Sequence, residues 1–459
     1  MKLKVIFAAT LLAAMTMSSC SSDNPVDATE NVARGEATYA SFTINLASTG
    51  SRAGNDDNAD EVEQTISKVS LYIFSGGVLE TYHEAEASEI NNNKISPVKT
   101  TTGEKVIYAI VNDLLVDGEA YTATEETTRL ADFEKVVFNS LKSQIAESGN
   151  FLMISKPVKA AITKTTEANP FQVKVVVTRA AAKAQVKFVA EDVTVRSTIK
   201  ATFDNAVFAL VQNAEEMNLG WDPYQYTPNA AKQTGAATYD GYTAVPANDS
   251  DIDFIDAVTE FSAVYTESDY TAESYNKAPV TGNTTFALVR LKATPSTIYS
   301  KAEIDKTTGE IKLTPGSISS TGDFYVVAKN DKATASYVFA TDKNYDILYF
   351  TSETAAKNYI SAAKLDNKTW TFLKYTGGNV YYRVNIMNPD GTDLTSKYSV
   401  HRNHYYKIDV TDIKALGAND TPGVTPTDPD TPIETEAWVE TEIEVDNWEP
   451  VEMDNTTLQ

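Results

Sequence analysis

The chain has 459 residues, with 39 Lys plus Arg against 63 Asp plus Glu and a formal net charge of −24, which argues against electrostatic capture of nucleic acid or of an anionic membrane surface. One cysteine and three histidines (His83, His401, His404) leave a disulfide framework, a Cys-ligated zinc site and most nucleophile-base pairs without parts. With 24 Tyr, 17 Phe and 42% hydrophobic residues, the composition is that of a folded, strand-rich protein of up to about three folding units.

The first residues read as a secretion signal. Lys2 and Lys4 supply the positive end, and Val5 to Met17 is an apolar stretch interrupted only by threonines, too short to span a membrane. It closes on Met17-Ser18-Ser19-Cys20, which resembles the lipobox of bacterial lipoproteins with Met17 in place of the usual leucine. Cys20 is therefore the expected lipidation site; the alternative is an ordinary signal peptide followed by a free cysteine. Ser21 to Glu36 is polar and reads as a tether.

Ala37 to Ser48 alternates with period 2. It places Ala40, Phe42, Ile44 and Leu46 on an apolar face and Tyr39, Ser41, Thr43 and Asn45 on the other, predicting a strand with one buried side. A Gly-rich, acidic stretch follows. Arg52, followed by Ala53, is expected in an exposed loop open to an arginine-specific protease, or is simply a surface arginine.

Further strands are predicted at Lys68 to Phe74, Lys105 to Asn112, Phe171 to Thr178, Lys183 to Val189, Thr284 to Lys292, Phe324 to Ala328, Asn379 to Met387 and Tyr405 to Val410. Leu130, Phe133, Val137, Leu141 and Ile145 recur at helical spacing and predict one helix within Thr128 to Ala146, its stripe packed on a core. Residues 220–280 have weak periodicity and predict long loops with no cofactor box. The architecture expected is mainly β, two tandem sandwich domains with a minor helical component.

The prolines of Thr421 to Pro432 predict a semi-extended spacer that cannot enter a sheet interior. Beyond it, Val439, Thr441, Ile443 and Val445 alternate with acidic residues, which reads as a strand held away from its own domain. Residues 437–448 would reach roughly 40 Å, the length of a sandwich.

Candidate chemistry is thin. His401 and His404, three apart in a strand context, fall on opposite faces and lack the Glu of a helical zinc site. Asn55 to Asp60 lacks the glycine and distal glutamate of a calcium loop. Asp249, Asp251, Asp253 and Glu260 come closer, but Phe254 stands where the loop needs glycine. No nucleophile elbow, phosphate loop or dinucleotide fingerprint occurs, so no catalytic residue, metal or cofactor is expected. The tyrosine-rich loops could stack on sugars, although tyrosine more often packs strands.

Taken in order, these segments resemble the type V pilins, or fimbrillins, and most closely the shaft subunit of short fimbriae. The resemblance is carried by the signal ending at Cys20, Arg52-Ala53-Gly54 before an acidic loop, and Gly103-Glu104-Lys105-Val106-Ile107-Tyr108-Ala109-Ile110-Val111-Asn112. It continues through Thr178-Arg179-Ala180-Ala181-Ala182-Lys183-Ala184, Thr284-Thr285-Phe286-Ala287-Leu288-Val289-Arg290, Arg402-Asn403 with Tyr405-Tyr406, Gly417, and the spacer from Pro426 to Pro432. The acidity of the C-terminal strand departs from the pattern.

The resemblance implies two tandem transthyretin-like sandwiches, with residues 1–19 as lipoprotein signal, 20–52 as propeptide, 53–182 and 183–420 as the two domains, and 421–459 as spacer and donor strand. It also implies an outer-membrane precursor anchored by lipid, an arginine-specific maturation protease, and adhesion through a head-to-tail polymer of the chain with anchor and tip subunits. Cutting after Arg52 would release the strand 37–48. The strand of another copy would fill the groove, with Val439, Ile443 and Val445 replacing Phe42, Ile44 and Leu46. The alternative is a monomeric surface lipoprotein that binds glycans and keeps its first strand.

Overall fold

The computed structural model describes residues 35–46, 59–220, 238–275, 278–319, 322–331, 336–389, 391–433 and 439–447. Cys20, Arg34, Arg52 and Ala53 lie outside the described residues. The protein is mainly β and sandwich-like, and the eight strands predicted between Lys68 and Val410 are all present, with ends shifted by a few residues.

The N-terminal part is one nine-stranded sheet. Strands run in the order Val78–Glu86, Lys68–Ser75, Gly103–Val111, Met153–Ser155, Phe171–Arg179, Ala37–Leu46, Lys94–Thr101 and Ile90–Asn91, with Val158–Ile162 also paired to Gly103–Val111. The sheet curls until its far ends meet over a core that includes Phe42, Ile44, Leu71, Ile107, Phe133 and Val175. The meeting point is a buried carboxylate. Glu80 accepts hydrogen bonds from Lys105 Nζ at 2.6 Å, Thr100 Oγ1 at 2.9 Å, and the Thr101 backbone and hydroxyl at 3.0 and 2.8 Å.

Burial raises the Glu80 carboxyl's affinity for its proton, but the bonds from Lys105, Thr101 and Thr100 outweigh this and hold its pKa below the ordinary value. A lowered carboxyl pKa stabilises the fold above the unfolded value, and the benefit is lost as pH falls through the folded one. Glu80→Gln should therefore lower the melting temperature near neutral pH, with the gap to the unmodified protein closing as the pH falls through the folded value. Thermal unfolding of both proteins near neutral pH and in acid checks this.

The C-terminal part stacks two sheets around a second core. One holds Thr194–Val195, His404–Ile413, Ala181–Lys187 and Asp269–Ala272; the other holds Ile255–Asp256, Ala201–Val211, Phe286–Pro295 and Asn379–Asn385. Each part opens with a strand lying parallel to its closing strand. Ala37–Leu46 pairs Phe171–Arg179, and Ala181–Lys187 pairs His404–Ile413. A further six-stranded sheet at 299–375 carries the helix Glu353–Ala362, capped by Ser352, which buries Ala355, Ala356, Tyr359 and Ile360.

The helix expected within 128–146 is replaced by two four-residue helices, Leu130–Phe133 and Lys142–Ile145, with the strand Val137–Asn139 between them. The β-branched pair Val136-Val137 ahead of Phe138 favours the strand, which pairs Glu216–Asn218. Phe133 and Ile145 reach the core as the stripe predicted, whereas Val137 and Leu141 are exposed. Between 238 and 275 the chain forms turns and short strands, as expected of loops.

The proline-rich segment is packed rather than free. Val424 is buried beside Phe286, Leu288 and Tyr381, the Thr421 hydroxyl bonds Pro246 O at 2.7 Å, and the backbone N–H groups of Thr281 and Gly282 donate to Thr431 O and Pro429 O. Prolines cannot join the ladder of a sheet, but they can cover its open face.

Candidate functional site

The N-terminal strand is an interior strand. It runs parallel to Phe171–Arg179 on one side, with Phe42 opposite Val173 and Ile44 opposite Val175, and antiparallel to Lys94–Thr101 on the other. Ala40, Phe42 and Ile44 have no solvent exposure, as the alternation predicts, while Leu46 is half-buried. Two buried polar residues were not predicted. Thr38 donates to Thr163 O and accepts from the Thr165 backbone, and Ser41 donates to Ile95 O where two residues of the neighbouring strand bulge against one. Gly35, two residues ahead of the strand, stands where a Cβ would lie 2.0 Å from Thr102 O, so no larger residue fits there.

Each deeply buried Phe or Ile here contributes about 1.5–3 kcal/mol, so withdrawal of this strand would be costly unless another fills its place. Withdrawal would also strip backbone partners from both neighbours. The Glu80 cluster, which ties Lys94–Thr101 to Val78–Glu86 and Gly103–Val111, would still hold one wall of the groove.

The first described residues after Arg52 are tied down at the junction of the two parts. Glu63 and Lys183 form a fully buried ion pair at 3.0 Å, Arg179 Nε donates to Glu63 O at 2.9 Å, and Tyr270 donates its hydroxyl hydrogen to Glu63. Asp60 caps the turn that carries Glu63 and accepts from the Tyr265 backbone at 2.9 Å. Burial pulls the Lys183 amine down in pKa, against the upward pull of Glu63. A chain cut at Arg52 would thus keep its new end anchored a few residues on.

The C-terminal strand, Val439–Asn447, corrects an expectation. It is docked on its own domain, antiparallel to His404–Ile413, with Ile443 opposite Ile408 and Val445 opposite Tyr406. The alternation itself holds, since Thr441, Ile443 and Val445 are half-buried, the last two against the second core, while Glu442 and Glu444 are exposed. The strand His404–Ile413 has a free edge on this side, and a nearby alternating segment satisfies it. The two strands singled out in the sequence therefore belong to different sheets and do not meet within one chain.

Other candidates resolve as structure. His401 and His404 flank a turn at Arg402-Asn403, with ring centroids 5.2 Å apart rather than on opposite strand faces, because Asn403 takes a positive φ between them. No cluster of metal-holding side chains is found among the described residues. Asp249 pairs with Arg290 at 2.5 Å. Tyr242, Tyr270 and Tyr275 are buried, and Tyr239 and Tyr265 are half-buried; tyrosines 224 and 226 lie outside the described residues.

The fold is that of a mainly β, sandwich-like protein. Residues 373–454 match the family model described as "Major fimbrial subunit protein type IV, Fimbrillin, C-terminal", which bears out the resemblance to fimbrillins and covers the C-terminal strand. No curated protein matches the chain. Among solved structures, a fimbrillin, FimA, of Porphyromonas gingivalis is 15% identical over 91% of this chain and 99% of its own, with a TM-score of 0.46. A Bacteroides eggerthii protein described as a cell adhesion protein is 15% identical over 92% and 100%, with a TM-score of 0.44. The tip fimbrial protein Mfa3 of P. gingivalis is 12% identical over 90% and 100%, with a TM-score of 0.37.

Proposed function

We propose that the chain is a structural subunit of a fimbrial shaft that serves adhesion. It travels to the outer membrane as a precursor lipidated on Cys20, is cut after Arg52 by an arginine-specific protease, and polymerises head-to-tail by strand exchange. Anchor and tip subunits would terminate the polymer. The observation that carries this reading is the position of Ala37–Leu46: an interior strand, buried on one face, lying wholly on the N-terminal side of Arg52.

Removing it opens a groove with apolar walls and unpaired backbone groups, the acceptor that β-strand addition needs. The donor is Val439–Asn447, whose half-buried face carries Thr441, Ile443 and Val445. Such a contact joins unlike surfaces of two copies and does not close, so its repetition gives a filament. No catalytic step is required of the chain. The experiment is proteolysis of purified precursor with an arginine-specific protease, followed by electron microscopy and an unheated gel. The uncut protein should remain monomeric and the cut protein should form a ladder; a ladder from uncut protein would overturn the reading.

A further inference from the structure

We propose that lysines on the two strands flanking the groove select the C-terminal strand of a second copy and fix its register, with Glu444 seated between Lys94 and Lys174 and Glu440 beside Lys99. This rests on the strand-exchange reading above. Thr43 of the resident strand stands opposite Lys174 on one neighbour and Lys94 on the other, and Tyr39 stands opposite Lys99. Side chains at opposed positions of neighbouring strands share a face, so these three lysines border the outer face of the slot. Lys99 and Lys174 are exposed and Lys94 is half-exposed, and among the described residues none of the three has an ion-pair partner. The resident strand offers them Tyr39 and Thr43, which carry no charge, while Ser41 between them is buried with its hydroxyl on Ile95 O.

The C-terminal strand offers Glu440, Glu442, Glu444 and Asp446 on the corresponding face. In its present place that face is poorly matched. Glu442 stands opposite Asp409 and Glu440 is in register with Asp412, while Glu444 stands opposite Lys407. Like charges directly opposed weaken a strand pair, and unlike charges strengthen it. Moving from its own sheet to the groove of another copy would replace two acidic neighbours and one basic one with three basic ones. The acidity that departs from the fimbrillin pattern thus acquires a use.

Side-chain size selects the same register. The inner side of the slot is filled in order by Thr38, Ala40, Phe42, Ile44 and Leu46 of the resident strand, so it is narrow at Ala40, wide at Phe42 and half-exposed at Leu46. With Thr441 in the place of Ala40, Val439 takes that of Thr38, Ile443 that of Phe42, Val445 that of Ile44, and Asn447 the half-exposed end. A shift of two in one direction puts Thr441 in the widest position and underfills it. A shift of two in the other puts Asn447 at the fully buried position of Ile44, where its amide would be unpaired. Because inward and outward faces alternate, shifts of one are excluded by the acids.

The test uses the full chain, matured by cutting after Arg52, carrying either Glu444→Cys with Lys174→Cys or Glu442→Cys with Lys174→Cys. Filaments are treated with a short thiol cross-linker and run on a denaturing gel. The first pair should give a covalent ladder about ten-fold stronger than the second, since only one register brings each pair together. A ladder from the second pair alone overturns the register while leaving strand exchange standing; filaments that give a ladder with neither pair also overturn the register, and overturn strand exchange as well only if their subunits retain residues 37–46. Lys94→Glu with Lys174→Glu should slow polymerisation about five-fold at low ionic strength, and Glu444→Lys in the same chain should recover it. An unchanged rate at low salt overturns selection by the lysines.

Discussion

Removing residues 437–459 is expected to abolish filament formation while leaving a folded monomer. Without the C-terminal strand the groove of the next copy has nothing to receive, and no other alternating segment follows the last strand of the second sandwich. The monomer loses cover along His404–Ile413, so some loss of stability accompanies the deletion; Ile443 and Val445 are half-buried, and their combined contribution is about 1.5–3 kcal/mol. Ile443→Asp separates the two effects. On its own sheet the position is half-buried and a carboxylate can reach water, whereas in the groove it would take the place of Phe42, which has no exposure. An unpaired carboxylate there costs several kcal/mol, enough to weaken assembly on the order of a hundred-fold or more. Circular dichroism and thermal unfolding report the fold, and electron microscopy of matured protein reports assembly. Normal filaments from either variant would mean that assembly uses another surface.

Arg52→Ala should leave a precursor that does not polymerise, because its first strand still fills the groove. The same substitution at Arg34 should matter little. A cut at Arg34 precedes Ala37–Leu46 and releases the anchor without opening the sheet, whereas a cut at Arg52 releases both. The contrast between two arginines on either side of one strand is what distinguishes maturation by strand release from simple shedding of a lipid anchor. The readout is the unheated gel ladder. Polymers of Arg52→Ala protein that retain residues 37–46 would rule out release of the strand.

Much of this was legible one strand at a time. The period-2 pattern of Ala37–Leu46 places Ala40, Phe42 and Ile44 inside correctly, since alternation is a local property of the chain. Pairing is not local. That this strand lies parallel to Phe171–Arg179, and that Val439–Asn447 returns to His404–Ile413, depends on partners far away in sequence, and no spacing within either segment records them. The same reason hid the value of Lys94, Lys99 and Lys174, ordinary surface lysines until the register sets them along one slot. The helix Glu353–Ala362 was missed although its signals are local: Ser352 as cap, the Glu353 and Lys357 pair, and Ala355, Ala356, Tyr359 and Ile360 on one face. The stripe at 130–145 misled in the opposite sense, because helical spacing was read through a Val-Val-Phe run that prefers to extend. The spacer misled for a further reason. Its prolines exclude it from a ladder, yet nothing in their number tells whether it lies in solvent or, as here, across a sheet.

Strand release is the central claim, and the N-terminal sequence of subunits recovered from sheared filaments tests it most directly. Subunits that begin at Ala53, and so lack Ala37–Leu46, are the predicted result. Subunits that begin at Cys20, or at any residue before Ala37, would show that the filament is built with its first strand in place and would contradict the account.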